Sequence, residues 1–160
     1  MKAQEYVQSL LTNYAAIKKD MEQKINNNLV DVFKEFFEKH PEVKFVTWTQ
    51  FTPYFNDGEP CVFSMYGPEF CLDDRINIQD FIDSDQDFDV YLDNLTDELS
   101  VEGQEFEYYY PSSYKLENDL DAFGQFLGSM EGIFYNVFGD NQRVVITPEK
   151  IEIMEYNEHH

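Results

Sequence analysis

Positive charge is what this chain has least of: 11 Lys and Arg stand against 32 Asp and Glu, for a formal net charge of −21. Nucleic-acid affinity rests largely on Lys and Arg contacts to phosphates, so direct binding to nucleic acid is not expected. Cysteine is scarce too. Cys61 and Cys71 are the only two, and their spacing fits neither a metal-ligand set nor a redox pair, so both read as ordinary buried or half-buried thiols. Of the three histidines, His40 precedes a helix-ending proline, and His159–His160 is a terminal pair of the kind a purification tag leaves. No apolar run approaches membrane-spanning length, and the opening MKAQEYVQSLLTNY lacks the unbroken apolar core of a signal peptide. A cytoplasmic protein with no membrane attachment is expected. A phosphate loop, a dinucleotide fingerprint, a nucleophile elbow and an HExxH motif are all missing, so no cofactor and no catalytic residue is assigned.

What is present is hydrophobic enough to fold. Apolar residues make up 42% and aromatics 17%, which separates the chain from disordered acidic tails. At 160 residues it is sized for one domain with a full core. The charge is unevenly placed. Residues 1–44 hold seven Lys and seven acids, whereas residues 45–160 hold 25 acids against Arg75, Lys115, Arg143 and Lys150. Residues 69–121 alone carry 17 acids and two bases. Such density repels itself and exceeds what solubility requires.

Val7, Leu10, Tyr14, Ile17 and Met21 alternate three- and four-residue steps, which predicts an amphipathic helix over residues 3–25. Asn26–Asn28 predicts a break, and Leu29, Val32, Phe33, Phe36 and Phe37 a second helix ending at His40–Pro41. Residues 43–55 are β-branched and aromatic, Asn56–Asp57–Gly58 is a turn signal, and Cys61–Tyr66 reads as the return strand of a hairpin. In the acidic block, Phe88, Leu92, Leu95 and Leu99 fit a helix over 86–100, with Ser84 and Asp87 as a capping box. Phe88, Val90 and Leu92 also fit a strand; the helical period persists longer and is preferred. Phe106–Tyr110 reads as a strand stopped by Pro111. Ser112 or Ser113 can then cap one long helix through Val137, stopped by Gly139. A last hairpin turns at Thr147–Lys150 between Val144–Ile146 and Ile151–Met154. The expected fold is a single α+β domain: an antiparallel sheet built from two hairpins, with N-terminal helices and one long C-terminal helix packed on it, the helices on one face.

The alternating Asp83, Asp85, Asp87 and Asp89 invite a calcium reading. Neither frame works, because the sixth and twelfth positions from Asp83 hold Phe88 and Asn94, and from Asp85 hold Val90 and Thr96. No metal site is assigned. A row of like carboxylates also lacks the two distinct environments that acid/base catalysis needs. As a charge array the row is more informative. On a helix, Asp85, Asp89, Asp93 and Asp97 stand roughly 6 Å apart per step; on a strand, Asp83, Asp85, Asp87, Asp89 and Asp93 share a face at roughly 6.6 Å. Either spacing resembles successive phosphates along one strand of nucleic acid. With Asp73, Asp74 and Glu98 these residues form the expected partner-binding surface. Gly124, Gly128 and Gly132 form a GxxxGxxxG stripe, read as close packing inside the domain or as a homodimer face. Trp48, Phe51, Tyr54, Phe55, Phe63 and Tyr66 cluster around the first hairpin, and Tyr108–Tyr110 form a second aromatic group.

The stretch WTQFTPYFNDGEPCVF, residues 48–63, resembles a segment of small uncharacterised phage and bacterial proteins. In length, acidity and terminal hairpin the chain is similar to toxin-immunity proteins and to phage-encoded DNA mimics. That resemblance implies a non-catalytic inhibitor or decoy, binding a basic, nucleic-acid-handling protein in the cytoplasm, the host's if phage-encoded. Two alternatives remain: an enzyme with a site near the aromatic hairpin around Tyr54, Asp57 and Glu59, and a structural or assembly protein whose acidity only confers solubility.

Overall fold

The computed structural model describes residues 2–53, 58, 61–99, 111 and 113–156. Tyr54, Phe55, Asn56, Asp57, Glu59, the strand expected at Phe106–Tyr110, Ser112 and His159–His160 lie outside the described residues.

The first element is one helix, α1 (Lys2–Lys39), rather than two. Asn costs only a fraction of a kcal/mol against Ala in a helix interior, roughly 0.7 or less. Asn28 also recovers a hydrogen bond by donating its Nδ2 to the Lys24 carbonyl at 2.7 Å. Packing of Leu29, Phe33, Phe36 and Phe37 then holds the helix through the asparagine run. The preceding stripe of Val7, Leu10, Tyr14, Ile17 and Met21 stays exposed.

Four strands follow the two-hairpin expectation: β1 (Phe45–Phe51), β2 (Ser64–Cys71), β3 (Gln142–Ile146) and β4 (Ile151–Glu155). All pairs are antiparallel, in the order β2-β1-β3-β4. The return strand begins later than Cys61 and runs on to Cys71, so the connection is longer than a tight turn; Gly58 within it has φ +75°, a conformation suited to glycine. The β3–β4 turn falls where expected, closed by Thr147 N–H donating to the Lys150 carbonyl at 2.9 Å.

The expected long C-terminal helix is two helices, α4 (Tyr114–Gly128) and α5 (Glu131–Phe138). Ser113 caps α4, its Oγ accepting from Leu116 N–H at 3.1 Å. The break at Ser129–Met130 has a local cause: the Ser129 hydroxyl donates to the Phe126 carbonyl at 2.6 Å, and Met130 N–H reaches back only three residues, to Leu127. α4, α5 and the Met130 between them point Leu116, Leu120, Leu127, Met130 and Phe134 into one core, so the apolar period runs unbroken across the interruption.

Helices cover both faces of the sheet, not one. α1, α4 and α5 pack with Val46, Trp48, Phe70, Val144 and Ile146 on one side. The acidic block folds into α2 (Ile78–Ser84) and α3 (Phe88–Leu99), which close the other side over Phe45, Cys71 and Val145 through Phe81, Phe88 and Leu92. The helical rather than the strand reading of this block is therefore the one adopted, over Phe88–Leu99. Ser84 terminates α2 instead of opening α3: its hydroxyl donates to the Phe81 carbonyl at 2.6 Å, and the Asp87 carbonyl accepts the first bond of α3 from Tyr91 N–H.

Candidate functional site: an acidic groove beside a buried arginine

Strand alternation decides which side chains meet under α2 and α3. Thr47, Thr49, Glu69 and Arg143 lie on the same face as Phe45 and Val145, because antiparallel partners (Thr47 with Glu69, Thr49 with Arg143) point the same way. One end of this face is apolar and sealed. The other end is polar and incompletely covered.

Arg143 is 2% exposed, held between the rings of Phe81 and Tyr156 with its guanidinium carbon 5.9 and 5.4 Å from their centroids. Its two terminal nitrogens each donate at 3.4 Å, one to Asp85 and one to Asp87. The Tyr156 hydroxyl donates to the second Asp87 oxygen at 3.3 Å. Asp85 reaches this position from the left-handed cap of α2, at φ 53°. A buried guanidinium needs such partners, since an uncompensated charge off water is costly. The sequence reading missed Arg143 because it began the strand at Val144; an arginine alternating with Val145 is the signal that was there.

Beside this cluster lie two adjoining cavities. One, of about 310 Å3, is lined by Thr47, Thr49, Tyr66, Asp87 and Arg143 among others. Its neighbour, about 540 Å3, opens at the β2 edge between α3 and α4 and is lined by Phe70, Leu120, Asp121, Gly124 and Gln125. Gly67, Glu69, Phe88 and Asp89 border both. Water still reaches Glu69. Even so, desolvation by the groove walls, with the negative charges of Asp89 and Asp87, pushes its carboxyl up to about 7.

The expected acidic row is divided. Asp73 binds Arg75 through a backbone bond and two side-chain bonds, and the guanidinium holds its carboxyl below the usual range. Asp74 pairs with Lys44 at 2.8 Å. Asp85 and Asp87 serve Arg143, and Asp83 accepts from Gln79 on α2 at 2.8 Å. Asp85 stands before α3, so the four-step helical row does not form from it. Asp89 and Asp93 remain exposed on α3, and the side chains of Asp97 and Glu98, on its last turn, lie outside the described residues. Acid thus converges on the groove from β2, α3 and α4 rather than along one element.

The glycine stripe is also divided, between α4 and α5. A Cβ at Gly124 would sit 3.7 Å from the Pro68 ring, an ordinary contact, while Gly128 and Gly132 face nothing within 4 Å, so close packing does not explain them. Cys71 is buried, which pushes its thiol up to about 12, but Cys61 is exposed rather than half-buried. His40 lies 3.9 Å from Asp119, away from the groove. Among the described residues no three His, Cys, Asp or Glu side chains converge as metal ligands, and no helix is long and apolar enough to cross a membrane.

Fold and site together define an antiparallel α+β protein with an acidic groove open at one sheet edge. Comparison with known protein families, with curated proteins and with solved structures finds no match to this chain.

Proposed function

We propose that the chain is a non-catalytic acidic binding protein, an inhibitor or decoy that takes Lys or Arg side chains of a basic, nucleic-acid-handling partner. This is the chemistry of a DNA mimic acting in phage anti-defence or immunity. The observation that supports it is Glu69: groove walls that desolvate its carboxyl, with Asp89 and Asp87 beside it, let it keep a proton near neutral pH, and a basic side chain entering there replaces that proton with its own charge. The aliphatic stem of Lys or Arg suits the apolar walls of Phe70, Phe88 and Leu120. Exposed Asp83, Asp89 and Asp93 extend the negative surface along α2 and α3 and would steer the approach.

The test is capture from host lysate on the parent chain and on an Asp83→Asn, Asp89→Asn, Asp93→Asn variant, across a salt series, with elution by duplex DNA. A protein retained by the parent, released by DNA and by salt, and lost on the variant meets the expectation. Equal retention on both chains, or retention that DNA does not disturb, refutes it.

A second reading, from another class, draws on the same carboxyl. A carboxyl raised to about 7 in a cleft beside Asp87 and Asp89 is suited to general acid work, near Tyr66 of the aromatic hairpin. Turnover of any substrate panel that Glu69→Gln abolishes while the fold persists would favour it over the decoy.

A further inference from the structure

The apolar stripe on the outer half of α1 is left largely exposed by the described residues. Tyr6, Val7, Leu10, Leu11, Tyr14, Ile17 and Met21 are between 48% and 68% exposed, and Val7, Leu10, Tyr14, Ile17 and Met21 keep the three-four spacing of a coiled-coil seam. Only from Leu29 onward does α1 enter the core. Where the seam ends, an apolar groove of about 450 Å3 begins between α1 and α4, lined by Ile25, Asn28, Leu29, Val32, Phe126 and Met130.

We infer that this stripe pairs with the same stripe of a second copy, in antiparallel orientation. Charge selects the occupant. Residues 2–24 hold four lysines against three acids, while the rest of the molecule carries more than the entire net charge of −21. This helix is therefore the surface on which two such acidic chains meet without strong repulsion. Charge also selects the direction. A parallel pair sets two highly acidic domains side by side, whereas an antiparallel pair holds them at opposite ends of a helix about 33 Å long, several Debye lengths apart at about 8 Å each. Pairing Tyr14 with Ile17, and Leu10 with Met21, brings Tyr6 and Val7 of the second copy opposite Lys24 and Ile25. There they continue the seam onto the apolar groove and cover the half-exposed Phe126. This contact is distinct from the glycine stripe.

Sedimentation of the full chain over a concentration series tests the pairing. A monomer–dimer equilibrium that tightens as salt rises is expected, the opposite of the salt dependence of a basic partner. Leu10→Glu with Ile17→Glu should make the chain monomeric at every concentration, and the melting transition of the diluted monomer should stay put because neither side chain enters the core. Spin labels at Gln4→Cys in a Cys61→Ser background should lie about 35 Å apart in the dimer, from a 23-residue axial offset. A chain that is monomeric throughout overturns the inference. So does a dimer indifferent to the two glutamates, or one with labels within roughly 15 Å as a parallel pair requires.

Discussion

Replacing Arg143 by Met separates what the guanidinium contributes as a cation from what it contributes as a filled volume. Breaking a buried ion pair costs about 3–5 kcal/mol when the surviving charge stays off water. Here it need not. The Asp85 and Asp87 side chains are 67% and 44% exposed, so both can turn to solvent once the arginine is gone. Pairs with such partners count for about 0–1 kcal/mol each. The contacts over Phe81 and Tyr156 add about 0.5–2 kcal/mol each, and Met restores most of the apolar stem. A net loss of about 2 kcal/mol follows, or roughly 4–8 °C in Tm for a chain of this size. Urea unfolding followed by circular dichroism measures it, with the m-value unchanged if the fold survives. Adding Asp85→Asn and Asp87→Asn should recover part of the loss, since the two carboxylates then no longer repel each other. An Arg143→Met chain melting within a degree of the parent, or a triple variant less stable than the single one, would refute this reasoning.

Other expectations are simpler to test. Glu69 has a folded-state pKa raised above that of an unfolded glutamate, so the folded chain holds the extra proton. Its contribution to stability is thus full below about pH 4.5 and is lost as pH rises to about 7. Glu69→Gln should flatten thermal stability across that window and raise Tm above pH 7; an unchanged pH profile would show that the groove does not shift this carboxyl. Asp73 acts with the opposite sign, because Arg75 lowers its pKa, and its contribution fades as pH falls through the carboxylate range. Gly132 lies inside α5 with nothing near its missing side chain, so Gly132→Ala should stabilise by about 0.5–1 kcal/mol in urea melts. Destabilisation would reveal a neighbour there. Gly128→Leu should leave the fold standing for the same reason.

The sequence carried the elements further than it carried their arrangement. Apolar period located both hairpins and the helices over residues 88–99 and 114–138, since a face that must be buried leaves a pattern. Period does not report continuity: it ran straight through Ser129–Met130, where a hydroxyl bond to Phe126 breaks the helix, and it suggested a break at Asn26–Asn28 that packing overrides. It does not report destination either, for the stripe from Val7 to Met21 has the spacing of a core face and stays outside the core of its own chain. The candidate site was half legible. Asp85, Asp87 and Asp89 drew attention as a charge row, but their roles depend on Arg143 and Glu69, which are 58 and 18 residues from Asp85 and Asp87 along the chain. Non-local polar contacts of this kind leave no period to read.

The position of β3 has a consequence for how the chain comes to be. β3 lies inside the sheet, hydrogen-bonded to β1 on one side and β4 on the other, yet a ribosome delivers it only after β1, β2 and α1–α5. Val144 and Ile146 complete one core and Val145 the other, while Arg143 supplies the charge around which Asp85 and Asp87 gather. Until residues 142–146 emerge, the acidic helices have neither a finished floor nor a counter-ion. Folding during synthesis must therefore wait for residues 142–146, and cutting away β3 and β4 would unmake the centre of the molecule rather than trim its edge.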